Sequence, residues 1–367
     1  MTRALAFLAG ATPDLGSRFA RLRWRRALGA ARSVEWEAKA PAAAALAGAD
    51  VWFVVADLSA VPLSDAGMAT LEPRAGCVLV ASVPEVPVAH TLRELEAAGQ
   101  AALAARGSRK PSAIGFRPAD FPPGDAETLA QYVERLQTAP APHTGHPGFQ
   151  AVVLSDPSES ERPELTGLIP SGARRILDVG CGAGAGIAAA KARNPAWEVT
   201  GIEKDPRLAS RARSLCDRVL EGDLAGVLAG LGRAGERFDA LVFADVLEHV
   251  EDPIAALALG RRVAAPGSRL LVSVPNVGHL SVVRDLVLGR FDPVPAGLTD
   301  AGHLRWFTRA SLEEALAEAG WQVDSIASER GAPPSGAEEF LALAAAWPDG
   351  DRESLSTYQW VATARPA

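Results

Sequence analysis

The sequence predicts an α/β fold in two parts, and three observations carry that prediction. Residues Ile176 to Gly186 read ILDVGCGAGAG, a short apolar strand that runs into four glycines at alternate positions. A second apolar run ends on the carboxylate of Glu203, nineteen residues after Gly184. Residues 1 to about 138 alternate apolar runs with helical stretches, the pattern of a second, smaller α/β layer.

The elements follow in order. Met1 to Leu8 has one positive residue and a short apolar stretch, and Asp14 and the Arg21 to Arg26 cluster follow without a cleavage site, so a buried first strand is expected rather than a leader. Val51 to Leu58 and Cys77 to Ser82 read as strands, Thr91 to Ala105 and Asp125 to Gln137 as helices. Proline and glycine spacing in Thr138 to Gly148 cannot hold a helix or a central strand, so residues 139–150 are the expected linker between a domain of 1–138 and one of 151–367.

Beyond it, Pro163 to Leu168 reads as a short helix with proline in its first turn, ended by Pro170-Ser171-Gly172. Asp252-Pro253 opens another, because proline lacks only an N–H that a first turn leaves unbonded, and Pro266-Gly267 closes it. Ser311-x-x-Glu314 has the form of a capping box, with Leu312, Ala315, Leu316 and Ala319 on one face and Gly320 as the stop. Trp321 to Ala327 and the alternating run Tyr358 to Thr363 are the last strands.

Composition narrows the class. With 367 residues and 48% apolar content the chain can bury two cores. Its longest apolar runs, such as Leu241 to Leu247 with Asp245 inside, fall far short of the roughly 20 residues a membrane helix needs, so no membrane partner is expected. Cys77, Cys181 and Cys216 are too few for a disulfide framework or a zinc site, which implies a reducing, cytoplasmic setting and no metal. A net charge of −7 disfavours nucleic acid, and the run Arg18, Arg21, Arg23, Arg25, Arg26 reads as a solvated helix face.

Gly180, Gly182 and Gly184 let the main chain turn sharply with no Cβ between it and a ligand, while Glu203 can take both hydroxyls of a ribose. Gly180-x-Gly182-x-x-Ala185 also meets the dinucleotide pattern of hydride-transfer enzymes. Asp178 separates the two readings. Two residues before the first glycine, it would set an uncompensated charge against a pyrophosphate, whereas S-adenosylmethionine carries a sulfonium and an ammonium and no phosphate.

Five blocks extend this pattern along the chain: the glycine turn, Glu221-Gly222-Asp223-Leu224, Phe238 to Val250 with Leu247-Glu248-His249, Pro266-Gly267-Ser268 with Leu270 to Asn276, and His303-Leu304-Arg305-Trp306-Phe307-Thr308. Their order and spacing resemble class I S-adenosylmethionine-dependent methyltransferases over about residues 150–367, in the branch related to ubiquinone-biosynthesis O-methyltransferases. The resemblance implies a Rossmann-like seven-stranded sheet of order 3-2-1-4-5-7-6 and S-adenosylmethionine as cofactor. It implies Asp178, Gly180, Gly182 and Gly184 around the methionine part, Glu203 at the ribose, Asp223 with Leu224 at the adenine, and Ala244 with Asp245 near the transferred methyl, with Cys181, Lys204, Gly222 and Val246 also among the cofactor-binding residues.

Methyl transfer is an in-line displacement, so the protein mainly aligns the partners and excludes water. A hydroxyl acceptor must also lose its proton, which suits a histidine. His249, His279 and His303 are the candidates, and each has an alternative role in shaping a loop. Phe291 to Leu298 is the expected lid over a small-molecule acceptor, a sugar or an aromatic metabolite, with a homodimer as the expected assembly. Ala49 to Ser59 faintly resembles the nucleotide-sugar region of an A-type glycosyltransferase, but Asp57-x-Ser59 offers one carboxylate where a metal wants two. A bifunctional glycosyltransferase and methyltransferase, an NAD-dependent oxidoreductase and a silent cofactor-binding module stay open as alternatives.

Overall fold

The computed structural model describes the strands lying between residues 4 and 154, position 135, and residues 161–367 apart from 295, 332, 334–336, 345 and 347–350. Contacts divide the chain into two compact units, Met1–Ser155 with Asp292–Gly302, and Asp156–Phe291 with His303–Ala367.

The first unit holds β1 (Ala4–Ala9), β2 (Arg32–Trp36), β3 (Val51–Val55), β4 (Ala60–Pro62), β5 (Val78–Val86), β6 (Arg109–Phe116), β7 (His143–Gly145) and β8 (Ala151–Leu154). They form one mixed sheet of order β2-β1-β3-β6-β5-β8-β4, with β7 also on β5. Thus part of the expected linker is a strand, although only three residues long. The arginine run 18–26, Asp57, Ser59, Cys77, the expected helix 91–105 and, but for position 135, that of 125–137 lie outside the described residues.

The second unit is a seven-stranded sheet of β9 (Arg175–Val179), β10 (Glu198–Glu203), β11 (Arg218–Glu221), β12 (Phe238–Ala244), β13 (Ala264–Pro275), β14 (Trp321–Glu329) and β15 (Gln359–Pro366). Its order β11-β10-β9-β12-β13-β15-β14 is the 3-2-1-4-5-7-6 that the resemblance implies. The first five strands run parallel and β15 inserts antiparallel between β13 and β14.

Around it lie α1 (Pro163–Thr166), α2 (Ala185–Arg193), α3 (Pro206–Ala212), α4 (Leu224–Arg233), α5 (Pro253–Arg262), α6 (Leu280–Val287), α7 (Arg309–Glu318), α8 (Ala337–Ala344) and α9 (Arg352–Ser356). Both sheet faces are apolar, as a parallel sheet covered on both sides requires. Along β9 and β12 successive residues alternate between two cores: Leu177, Leu241 and Phe243 enter one with Leu257, Leu316 and Trp360, and Ile176, Ala240 and Val242 enter the other with Ile187 and Trp197.

Two helix boundaries refine the sequence reading. Asp252 caps α5 by accepting from the Ala255 N–H at 2.9 Å, but the helix ends at Arg262 because β13 already begins at Ala264. Helix α7 begins earlier than Ser311. Thr308 is its cap, with Thr308 Oγ1 accepting from Ser311 N at 3.3 Å and Ser311 Oγ from Thr308 N at 2.9 Å. The reciprocal box is therefore Thr308 with Ser311, not Ser311 with Glu314.

Candidate active site

The glycine turn leaves β9 at Val179. Gly180, Gly182 and Gly184 take φ of +70°, +56° and +86°, a region that side chains other than glycine's avoid. A Cβ on Gly180 would stand 2.6 Å from Val246 Cγ2, so the exit of β12 packs directly on the turn. The N–H groups of Gly180 and Cys181 both donate to the Ile202 carbonyl, at 2.8 and 3.0 Å, which fastens the turn to β10.

Glu203 ends β10 and is buried. Its Oε2 accepts from Gly182 N at 2.9 Å and its Oε1 from Asp205 N at 2.8 Å, so one carboxylate braces the turn and the entry to α3. Each oxygen keeps a lone pair for a hydroxyl donor. Asp178 is also buried, and no donor reaches its side chain among the described residues. Burial, and then the negative charge of Glu203, push its carboxyl up to about 7.

The other expected positions line the same edge of the sheet. Lys204 is exposed beside Glu203. Gly222, at φ +151°, donates to the Glu203 carbonyl at 3.0 Å. Asp223 caps α4 by accepting from Gly226 N at 3.0 Å, and Leu224 is that helix's first residue. Ala244 ends β12, and Val246 is buried against Gly180. Cys181 is buried, and a hydrogen bond to the Cys216 thiol, together with burial, pushes its own thiol far up.

The Leu247-Glu248-His249 and His303 to Thr308 blocks meet in space. The N–H groups of Leu304 and Arg305 donate to the Glu248 carbonyl at 2.7 and 3.1 Å. The rings of His249 and His303 lie 4.8 Å apart, His303 lies 5.4 Å from Trp306, and Trp306 lies 5.2 Å from Phe291. Glu248, His249 and His303 each offer a ligand atom within 4.8 Å of the others, a grouping able to hold a cation that residue spacing had not suggested. His279 stands elsewhere, as the cap of α6, its Nδ1 accepting from Ser281 N at 3.2 Å.

Three residues at the site escaped the sequence reading. Arg162 Nη2 pairs with Asp245 Oδ2, Ser273 Oγ donates to Asp245 Oδ1 at 2.9 Å, and Gln359 Nε2 donates to the same oxygen. None lies in a glycine-rich or histidine-bearing block. A polar glutamine at the first position of a buried strand was the one available signal.

A family model described as a methyltransferase domain matches residues 127–326, more than half of the chain. The chain belongs to the methyltransferase-domain family. Among curated relatives, the ubiquinone biosynthesis O-methyltransferase of Cereibacter sphaeroides (strain ATCC 17029) is 36% identical over 115 residues, 31% of this chain and 46% of the relative. The enzyme of the same description from Aeromonas salmonicida is 29% identical over 167 residues, 44% of this chain and 68% of the relative. The chain thus spans about half the length of the first curated relatives it matches. Similar solved structures include a SAM-dependent methyltransferase from Archaeoglobus fulgidus (TM-score 0.41, 18% identity, 55% of this chain and 90% of that one) and the mitomycin 7-O-methyltransferase MmcR (TM-score 0.39, 21% identity, 57% and 54%).

The residues of this site fit S-adenosylmethionine. A buried carboxylate with no donor, beside a second one, is costly until a cation meets it, and the cofactor's ammonium is such a cation. A diphosphate would raise that cost.

Proposed function

We propose that this methyltransferase moves the methyl group of S-adenosylmethionine to a hydroxyl oxygen of a small molecule, a sugar or an aromatic metabolite. The observation that carries the reading is the pair of buried carboxylates, Asp178 and Glu203, behind a turn of three left-handed glycines. When bound, the cofactor supplies a methyl already activated on sulfur. Asp178 holds the ammonium, Glu203 the ribose hydroxyls, and Gly222 to Leu224 the adenine edge. The half-buried His249, with His303 beside it, receives the acceptor's proton, and Trp306 with Phe291 offers ring faces to a planar acceptor. His279 holds the start of α6.

Calorimetric titration with S-adenosylhomocysteine and, separately, NADH tests the cofactor. Binding of the first and not the second is expected, and the reverse result would return the chain to hydride transfer. Transfer of labelled methyl to catechol, 4-hydroxybenzoate or a methyl glycoside tests the acceptor class. Transfer to amines alone would remove the oxygen assignment.

A further inference from the structure

We propose that Arg162 and Asp245 form a latch that the methyl donor opens, so that the donor must bind before the acceptor. This rests on the cofactor reading above and adds to it a coupling between the two subsites.

Among the described residues, Arg162 and Asp245 are the two non-glycine positions with positive φ, +46° and +53°. They are also ion-pair partners. A left-handed backbone strains each of them, and Arg162 carries the added restriction of preceding Pro163. Two strained residues from separate elements thus converge on one contact. Strain of this kind persists where surroundings over-determine it, and it gathers at ligand clamps and switches.

The pair is asymmetric. Ser273 and Gln359 hold Oδ1 of Asp245, and Arg162 takes Oδ2. If Arg162 leaves, Asp245 keeps its place through two neutral donors and its second oxygen faces a new one. Gln359 adds to this polarity: the residue is buried at 3% exposure, and its Oε1 has no hydrogen-bond partner. A buried acceptor atom in that state favours a ligand that brings a donor, and a hydroxyl is one.

Arg162 has a reason to leave. Asp245 adjoins Val246, which packs on Gly180, so the ion pair borders the turn where the amino-acid tail of the donor sits. That tail carries a carboxylate one carbon from the ammonium assigned to Asp178. Guanidinium pairs with carboxylates through two parallel N–H donors, so the ligand's carboxylate competes with Asp245 on equal chemical terms. Exchange hands Arg162 to the donor and leaves Asp245 Oδ2 to accept from a second hydroxyl of the acceptor, beside the one that gives its proton to His249.

The test uses the full chain and no acceptor. Asp245→Asn and the parent protein are titrated with S-adenosylhomocysteine and with its decarboxylated analogue, S-adenosyl-3-thiopropylamine. The variant should bind S-adenosylhomocysteine roughly tenfold more tightly, within the usual range of coupling between sites, and the decarboxylated analogue no more tightly than the parent does. Equal or weaker binding of S-adenosylhomocysteine by a folded variant overturns the latch. Should the variant not fold, the Nε–H resonance of Arg162 in the parent protein, assigned through Arg162→Lys, should move with S-adenosylhomocysteine and stay still with the analogue. A stationary resonance overturns the latch too. If the parent binds no S-adenosylhomocysteine at all, the cofactor reading itself falls.

Discussion

A Cβ built on Gly201 would stand 2.6 Å from the sulfur of Cys181 and 3.5 Å from that of Cys216. Strand β10 therefore passes under the glycine turn with the thiols of Cys181 and Cys216 filling the space a side chain would need. Gly201→Ala should cost about 1 to 3 kcal/mol, the range for overpacking a core. Cys181→Ala in the same chain should recover most of it, because the clash is with that sulfur. Urea denaturation of the two single variants and the double variant measures the coupling, and simple additivity would sink the explanation.

Asp178 ties stability to pH. The folded chain keeps a proton on this carboxyl up to about 7, while the unfolded chain loses it near the ordinary 3.8. Between those values the folded state binds more protons, so stability from this group is complete at low pH and declines as pH rises through the window, by up to about 1.4 kcal/mol per unit. Denaturation of the ligand-free protein between pH 4.5 and 7.5 should show that decline, and Asp178→Asn should flatten it.

The same carboxyl sets the pH dependence of binding. An ammonium favours the charged form, so S-adenosylhomocysteine should bind more tightly as pH climbs from 6 to 8, with nearly one proton released at pH 6. Calorimetry in buffers of different ionisation enthalpy reads the proton count. Zero release would mean that the ammonium does not meet Asp178.

Glu203 serves the backbone as well as the ligand. Glu203→Ala removes the acceptor of two N–H groups and the proposed ribose contact, and should weaken S-adenosylhomocysteine binding by about 1 to 3 kcal/mol while lowering the melting temperature. Glu203→Gln retains an acceptor for at most one of the two N–H groups and should fall between. Undiminished affinity in both variants would remove Glu203 from the cofactor site.

At the start of α7, Thr308→Ala should cost about 1 kcal/mol, the usual value of a lost cap. Glu314→Ala, on the same helix, should stay within about 0.5 kcal/mol, as surface changes away from such features do. A larger loss at Glu314 would restore the later cap that residue spacing had suggested.

The glycine turn and Glu203 at the end of β10 were readable from residue order, because each is encoded locally, whereas the strand order followed only from the family resemblance. An apolar run of strand length, a glycine where φ must be positive and a proline at a helix start are constraints within a few residues of chain. His249 and His303 were readable as residues but not as neighbours. Fifty-four positions separate them, and the 4.8 Å between their rings follows from the Glu248 carbonyl receiving the N–H groups of Leu304 and Arg305.

What the residue order determined by itself is therefore the alternation of strands and helices, the bare turn and the acids that flank it. Folding alone decided which side chains face one another across the sheet. Asp245 draws on Arg162, Ser273 and Gln359, from three different segments, and Gln359 lies 114 residues away. Such contacts carry no local signature, because a hydrogen bond between distant residues constrains neither the spacing nor the periodicity of the chain between them.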